Sequence, residues 1–323
     1  MRLPARLALC FGETVITSTE RLVDTNGVQL HVTEAGDRGA PVVVLAHGFP
    51  ELAYSWRHQI QVLADAGYHV LAPNQRGYGR SSAPEDVEAY NIVELTGDIA
   101  GLLDDAGAEK AVIVGHDFGA VVAWNMPLLH PDRVAAVVGM SVPPVPRPPA
   151  PPVQIWKQIF GDNFFYILHF QEPGVADAEL GEDPAFTMQL VFADTGTALA
   201  GPDARPAEPP PLPDWMTKEE LDHYITEFSR TGFTGALNWY RNFDRNWELT
   251  ENTPAATITA PSLLIAGTAD PFFAFIPRDR VSDVVTGEYR EVLIDGAGHW
   301  IQQERAEDVN KLLLEFLAGL ELK

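Results

Sequence analysis

The chain has 323 residues, which is enough for one large α/β domain with an insertion. Its formal net charge of −23, from 45 acidic and 22 basic residues, argues against binding to nucleic acid or to an anionic membrane surface. The single cysteine, Cys10, excludes an internal disulfide, so we expect a reducing compartment such as the cytoplasm. No apolar run approaches the ~20 residues of a membrane-spanning helix.

The first 19 residues do not fit the pattern that follows them. They contain two arginines and a short apolar stretch, Leu7 to Phe11, which is too short for a convincing secretory signal. We therefore expect residues 1–19 to form an extension outside the folded core.

Residues 20–144 alternate predicted strands with predicted helices. A hairpin turn is expected at Asn26-Gly27, because this pair favours tight turns between strands. The strands are predicted at Val42–Ala46, Val70–Pro73, Val112–Val114 and Val134–Met140, and the helices at Tyr54–Leu63, Ile92–Leu103 and Ala120–His130. Such alternation predicts an α/β fold with a mostly parallel sheet and helices on both faces.

This pattern breaks at PPVPRPPAPP (143–152), whose seven prolines cannot continue a helix or a central strand. The segment after it, Val153 to Trp247, is rich in aromatic residues and helix-like, and it predicts an inserted helical cap at residues 145–250, in which the Pro-rich stretch Gly201–Pro213 is an exposed excursion. Residues 251–323 complete the core, with strands at Pro261–Gly267 and Arg290–Ile294 and a closing helix at Glu304–Leu320. The cap is expected to lie over the carboxyl edge of the sheet, where open α/β sheets bind ligands.

The stretch AVIVGHDFGA (111–120) predicts a strand, a sharp turn and a helix. The turn has the small-x-nucleophile-x-small form of a nucleophile elbow, with Gly115 and Gly119 at its two small positions and Asp117 at its centre. A carboxylate there attacks a saturated carbon and forms an ester that water must hydrolyse. The alternative interpretation is an Asp that only caps the following helix.

Two further residues complete a catalytic constellation. Asp270 follows the predicted strand at 261–267, and His299 lies in the loop after the last strand. The order nucleophile, acid, histidine is that of the α/β-hydrolases. Asp295 is the rival acid, although it lies close to His299 in sequence.

Several stretches of the sequence resemble the soluble epoxide hydrolases of the α/β-hydrolase fold. They are HGFPELAYSWRHQ (47–59), RGYGRS (76–81), GHDFGA (115–120), YILHFQEPGVADAEL (166–180), LNWYRNFDRNW (237–247) and GAGHW (296–300). The two cap stretches are the most specific of these, and the resemblance is closest to the actinobacterial type. It implies that Tyr166 and Tyr240 direct their hydroxyls at an epoxide oxygen. His169 departs from relatives that carry a tyrosine there, which bears on substrate shape.

The resemblance implies a two-step reaction that needs no cofactor and no metal. Asp117 opens the epoxide, His299 with Asp270 activates water, and the backbone N–H groups of Phe49 and Phe118 receive the oxyanion. Glu51 either helps to place the water or is a surface carboxylate. His47 is expected to orient the HGFP loop, and His116 to pack or hydrogen-bond beside the nucleophile. The candidate walls of an apolar pocket, which could equally be ordinary cap core, are Trp156, Phe164, Phe170 and Trp239.

Two other function classes compete with this interpretation. A haloalkane or haloacid dehalogenase shares the carboxylate nucleophile, but it commonly has a tryptophan where this chain has Phe118. A non-catalytic binding protein on the same fold is the second. We expect a small-molecule epoxide as the partner, with no nucleic acid and no membrane span, and a monomer or homodimer. The sequence leaves the particular epoxide open.

Overall fold

The computed structural model describes residues 9–11, 14–16 and 18–322. Its strands are β1 (Leu9–Phe11), β2 (Thr14–Ile16), β3 (Thr19–Thr25), β4 (Val28–Ala35), β5 (Val42–Ala46), β6 (His69–Asn74), β7 (Ala111–His116), β8 (Val134–Met140), β9 (Ser262–Gly267) and β10 (Tyr289–Ile294). Strands β1 and β2 pair with each other, and β3 to β10 form one sheet in the order β10-β9-β8-β7-β5-β6-β4-β3. The rest of the predicted extension, residues 1–8, 12, 13 and 17, lies outside the described residues.

The helices occupy the segments between and after these strands. They are α1 (Arg57–Asp65), α2 (Ile92–Ala106), α3 (Phe118–Leu129), α4 (Pro152–Phe160), α5 (Tyr166–His169), α6 (Val175–Glu182), α7 (Pro184–Ala193), α8 (Thr195–Ala198), α9 (Lys218–Thr231), α10 (Thr234–Tyr240), α11 (Phe243–Leu249), α12 (Ile301–Glu304) and α13 (Ala306–Ala318). Within the described residues, no helix is long and apolar enough to span a membrane.

The sheet is parallel from β10 to β6 and antiparallel at its β4 and β3 edge. The predicted hairpin is confirmed, because Asn26 and Gly27 both adopt positive φ, 43° and 76°, between β3 and β4. Strands β5, β7 and β9 are buried at every position, which explains their continuous apolar sequences. Helices α2 and α3 pack on one face of the sheet, and α1 and α13 on the other.

The predicted closing helix, Glu304–Leu320, is wrong at its start. The chain forms the short helix α12, breaks at Arg305 (φ −127°, ψ 44°) and then forms α13. Gln302 and Gln303 on α12 are buried and hydrogen-bond to Glu51, while Arg305 binds Asp308 in the first turn of α13. Because the two glutamines must turn inward, the helix cannot continue straight through this segment.

Helices α4 to α11 all lie between β8 and β9, in the region predicted as a cap. Helix α10 is fixed to the core by the indole N–H of Trp239, which donates to the carbonyl of Arg76 at 3.0 Å. Its backbone also passes close to the loop after β6, since a Cβ on Gly235 would lie 2.6 Å from the carbonyl oxygen of Gly77. The Gly201–Pro213 stretch is not wholly free of the fold, because Gln189 donates to the carbonyl of Pro210 at 2.9 Å.

We expect Gly235→Ala to destabilise the protein, because its methyl group meets backbone atoms that cannot move aside. The free energy of unfolding should fall by ~1–3 kcal/mol, the usual range for overpacking. Gly181→Ala is the matched control, since a Cβ there meets nothing within 4 Å. Its effect should be neutral or stabilising by up to ~1 kcal/mol. Urea unfolding followed by tryptophan fluorescence measures both; equal stabilities would contradict the close approach of α10.

Candidate active site

Asp117 sits on a strained turn between β7 and α3, with φ 52° and ψ −122°. Glycines make this turn possible: a Cβ on Gly115 would lie 2.0 Å from the carbonyl oxygen of Gly119, and a Cβ on Gly119 would lie 2.1 Å from that of Ala46. The predicted role of both glycines is therefore confirmed. The side chain of Asp117 makes no capping hydrogen bond to α3, whose residues are all described, so the helix-cap interpretation is wrong.

The carboxylate of Asp117 is held from two sides. The backbone N–H of Phe49 donates to Oδ1 at 2.8 Å, and Nε2 of His299 lies 3.6 Å from Oδ2. Phe118 is the first residue of α3, where backbone N–H groups have no partner within the helix. The two predicted oxyanion donors thus come from the loop after β5 and from the start of α3. The N–H of Phe49 already donates to the carboxylate of Asp117.

Asp270 and His299 are joined as predicted. Nδ1 of His299 lies 2.9 Å from Oδ2 of Asp270, and the backbone N–H groups of Phe272 and Phe273 donate to Oδ1 of Asp270 at 2.8 and 3.4 Å. The rival acid, Asp295, is exposed and accepts a hydrogen bond from the hydroxyl of Thr268 at 3.1 Å. The geometry therefore pairs the histidine with Asp270.

The two carboxylates control the protonation of His299. Burial by itself lowers the pKa of His299, but the charges and hydrogen bonds of Asp270 and Asp117 outweigh it and raise that pKa to about 10. Burial raises the pKa of Asp270, but His299 and the two N–H donors outweigh it and hold that pKa below its ordinary value. At neutral pH the resting site therefore contains an imidazolium between two carboxylates.

Tyr166 and Tyr240 come from separate helices of the predicted cap, α5 and α10, and their rings lie close together. Their ring centroids are 6.2 Å apart, and Tyr240 packs against the rings of Phe49 and Phe118 at 5.3 and 5.1 Å. Burial, and then the charge of Asp117, raises the pKa of both phenols above the ordinary value. Both hydroxyls therefore keep their protons at neutral pH and are available as donors.

Glu51 is fully buried at 0% exposure, so the alternative of a surface carboxylate is wrong. Its Oε1 accepts from the amides of Gln302 and Gln303 at 2.8 and 3.0 Å, and its Oε2 accepts from Gly48 N–H at 3.2 Å and lies 2.6 Å from Nδ1 of His116. Burial raises the pKa of Glu51, but His116, with smaller contributions from His47 and Ser55, outweighs it and lowers that pKa to about 2. Its role in placing water stays a prediction.

The two other histidines of the site face inward as expected. Nε2 of His116 lies 2.8 Å from the carbonyl oxygen of His299, so this ring links Glu51 to the loop that carries the catalytic histidine. His47 is held between the carbonyl of Gly48 at 2.9 Å and the backbone N–H of Gln75 at 3.0 Å. Burial lowers the pKa of His47 to about 4, so it stays neutral and fixes the HGFP loop.

The four predicted pocket aromatics lie at different distances from Asp117. Phe170 packs against Phe49 at 5.8 Å and Tyr240 at 5.2 Å, and Trp239 packs against Phe118 at 5.2 Å. Trp156 lies a layer further away, against Phe165 and Phe243. Phe164 is 41% exposed and packs against His169. The structure thus brings two of the four into contact with residues of the site.

Comparisons with known proteins agree with this arrangement. A family profile for the α/β-hydrolase fold matches residues 41–306. Epoxide hydrolase A of Mycobacterium tuberculosis is 65% identical over 94% of this chain and 99% of its own length. The chain belongs to the epoxide hydrolases of the α/β-hydrolase fold.

More distant relatives and solved structures extend this similarity. Epoxide hydrolase 3 of Siraitia grosvenorii is 38% identical over 91% of this chain and 96% of its own length. The crystal structure of epoxide hydrolase A from Mycobacterium thermoresistibile superposes with a TM-score of 0.91 at 63% identity, covering 95% of this chain and all of that one. An epoxide hydrolase from an endophytic Streptomyces gives a TM-score of 0.88 at 40% identity, over 94% and 96% of the two chains. The fold and the family are thus the same over nearly the whole length.

Sequence reasoning missed three residues that this epoxide hydrolase site uses. The ring of Phe272 packs 5.1 Å from that of His299 and 5.9 Å from that of Tyr166, and Gln302 and Gln303 bind Glu51. Only their position in the sequence could have indicated these three residues, because they closely follow Asp270 and His299.

We expect Asp117→Asn to lower the pKa of His299 towards its ordinary value, since it removes one of the two carboxylates that raise it. The titration of the His299 ring, followed by NMR with labelled histidine, measures this change. Asp295→Asn is the matched control, because Asp295 lies on the loop that carries His299 but accepts a hydrogen bond from Thr268. An unchanged pKa in Asp117→Asn would show that Asp117 exerts no electrostatic control over the histidine.

Proposed function

We propose that this protein hydrolyses epoxides to vicinal diols through a covalent ester on Asp117. The observation that carries the proposal is the position of Asp117, with His299 at 3.6 Å on one side and two protonated cap tyrosines over it. The family and the names of the relatives support the same reaction. We further propose residues 145–250 as the cap, 20–144 and 251–323 as the core, and a small-molecule epoxide as the partner.

In the first step, Oδ2 of Asp117 attacks one ring carbon and the carbon–oxygen bond of the epoxide breaks. Oδ1 stays on the N–H of Phe49 and becomes the carbonyl oxygen of the ester. The leaving alkoxide takes a proton from Tyr166 or Tyr240, because a phenol is a competent acid towards so strong a base. The ester no longer carries the charge of Asp117, so the pKa of His299 falls and its proton passes to the tyrosinate.

In the second step, the now neutral His299 takes a proton from water, and hydroxide adds to the ester carbonyl. The N–H groups of Phe49 and Phe118 receive the oxyanion, and a single such donor is typically worth ~3–4 kcal/mol. Collapse expels the alkoxide of the diol, which takes the proton of the new carboxyl group of Asp117. Asp117 is then ionised and His299 protonated, as at the start, so the cycle needs no further proton.

The dehalogenase alternative has less support from the geometry. A halide leaving group needs N–H donors near the nucleophile, and the indole N–H of Trp239, which packs against Phe118, is already bound to the carbonyl of Arg76. The paired tyrosines favour an oxygen leaving group instead. Parallel assays with an epoxide and a haloalkane distinguish the two activities, and turnover of neither would favour the non-catalytic binding protein.

His299→Gln should separate the two steps, because the imidazole activates water but does not form the ester. We expect one equivalent of alkylated Asp117 to accumulate per site, with hydrolysis slowed by roughly 10²–10⁴-fold. Intact-mass and peptide mass spectrometry measure the adduct, and Asp117→Ala is the control that forms none. In the parent enzyme, a single turnover in heavy-oxygen water should label Asp117; label in the diol alone would indicate direct attack by water.

Tyr166→Phe and Tyr240→Phe should each slow alkylation by roughly tenfold, since the remaining hydroxyl still binds the epoxide oxygen. The double variant should lose nearly all alkylation, whereas hydrolysis of an ester already formed should change little. Stopped-flow tryptophan fluorescence resolves the two steps. Tyr90→Phe is the control, because its hydroxyl donates to the carbonyl of Pro84 and takes no part in the site. A double variant that alkylates at the parent rate would rule out the tyrosine role.

A further inference from the structure

A cavity of about 230 Å³ lies inside the cap, between α5, α6, α7, α8 and residues 199–205. Its mouth includes the exposed side chains of Phe164 and Glu182, and its inner wall includes the buried Phe170 and Val191. A wider cleft of about 580 Å³ lies at the Asn26-Gly27 turn and contains none of the site residues. The cap cavity, in contrast, is lined by Tyr166 and Phe170, two of the predicted site residues.

The inner end of this cavity reaches the site at two points. Tyr166 lines the cavity, and its ring lies 6.2 Å from that of Tyr240 and 5.9 Å from that of Phe272, so this phenol is shared by the cavity and the site. Val191 also lines it, and its carbonyl accepts a hydrogen bond at 3.3 Å from the indole of Trp300, the residue after His299. A substrate held at Asp117 can thus extend past Tyr166 into the cap.

The lining is mainly apolar, and several of its polar groups already have partners. Nε2 of His169 lies 2.6 Å from Oε2 of Glu179, and the guanidinium of Arg205 stacks 4.1 Å above the ring of Phe186. The apolar side chains that form most of the wall are Phe170, Leu180, Phe186, Leu190, Val191 and Leu199. Such a wall favours hydrocarbon over water.

We propose that this cavity binds one uncharged apolar arm of the epoxide, and that His169 and Glu179 are specificity-determining residues in its wall. At ~30 Å³ for each water-sized group, the volume of about 230 Å³ holds about seven or eight such groups. Glu179 and Glu182 place two carboxylates on the cavity against the single guanidinium of Arg205, so an arm that ends in a carboxylate is disfavoured. The proposal rests on the proposed epoxide hydrolysis.

Ala198→Phe tests the volume, because Ala198 lines the cavity and the larger side chain fills it. We expect kcat/KM for a terminal epoxide with an octyl arm to fall at least about tenfold, mainly through KM, as apolar groups lose their burial. Turnover of a terminal epoxide with only an ethyl arm should stay the same. Ala200→Phe is the matched control, since Ala200 is exposed and is not part of the wall.

Leu199→Ala enlarges the cavity instead of filling it. It keeps the proposal testable if Ala198→Phe fails to fold. Enlarging the cavity should raise kcat/KM for a dodecyl arm relative to the octyl arm. If both variants leave the preference for arm length unchanged while the ethyl epoxide is converted, the cavity assignment is wrong. If no epoxide is converted by the parent enzyme, the proposed function fails instead, so the two failures are distinguishable.

The charge preference has its own test, with octyl arms that end in a methyl group or in a carboxylate. The parent enzyme should prefer the methyl end by at least about tenfold, and Glu179→Gln should reduce this preference severalfold by removing a negative charge and changing the partner of His169. Glu248→Gln is the control, as this exposed carboxylate pairs with Arg245 away from the cavity. If the parent enzyme prefers the carboxylate end and this preference disappears in Arg205→Gln, the proposal of an uncharged arm is wrong. If Glu179→Gln leaves the preference unchanged, His169 and Glu179 do not determine specificity.

Discussion

The site depends on an imidazolium held between two carboxylates. Asp270 binds Nδ1 of His299 at 2.9 Å, and Asp117 lies 3.6 Å from Nε2. Each carboxylate favours the protonated ring, so the histidine cannot act as a base while both are charged. In the proposed reaction, formation of an ester removes only the charge of Asp117 and leaves Asp270 to orient the ring. The contact that suppresses the base in the resting state would then release it when there is an ester to hydrolyse.

This electrostatic control requires a site from which the cap excludes water. Charges interact much more strongly in a dry interior than in bulk water. The rings of Phe49, Phe118, Phe170 and Tyr240 pack against one another at the site, and the side chain of Asp117 is 19% exposed. In the proposed reaction the cap tyrosines serve two purposes, since they close the site and supply protons. Trp239 fixes α10, the helix of Tyr240, to the Arg76 carbonyl, so a tryptophan predicted as a pocket wall has its N–H committed to the core.

Much of this arrangement could be predicted because it depends on local sequence. Parallel strands end at a common edge, so Asp117, Asp270 and His299 could be brought together from the positions of their strands alone. The burial of Glu51 could not, because its amide donors are 251 and 252 residues away and no local pattern indicates them. The break between α12 and α13 at Arg305 could not be predicted either, because it accompanies the same distant contacts of Gln302 and Gln303 with Glu51. Phe164 and Phe170 belong to one aromatic run, and only the course of the chain around α5 shows that the first faces solvent.

The pair Glu51 and His116 bears on which carboxylates set the charge of His299. The carbonyl of His299 can only accept a hydrogen bond, so Nε2 of His116 must donate to it and carry a proton. Nδ1 then faces a carboxylate that already has three other donors, which favour its ionised form. One proton must therefore lie between Nδ1 and Glu51. The charge of Glu51 is then balanced within the pair, which leaves Asp117 and Asp270 as the carboxylates that set the protonation of His299.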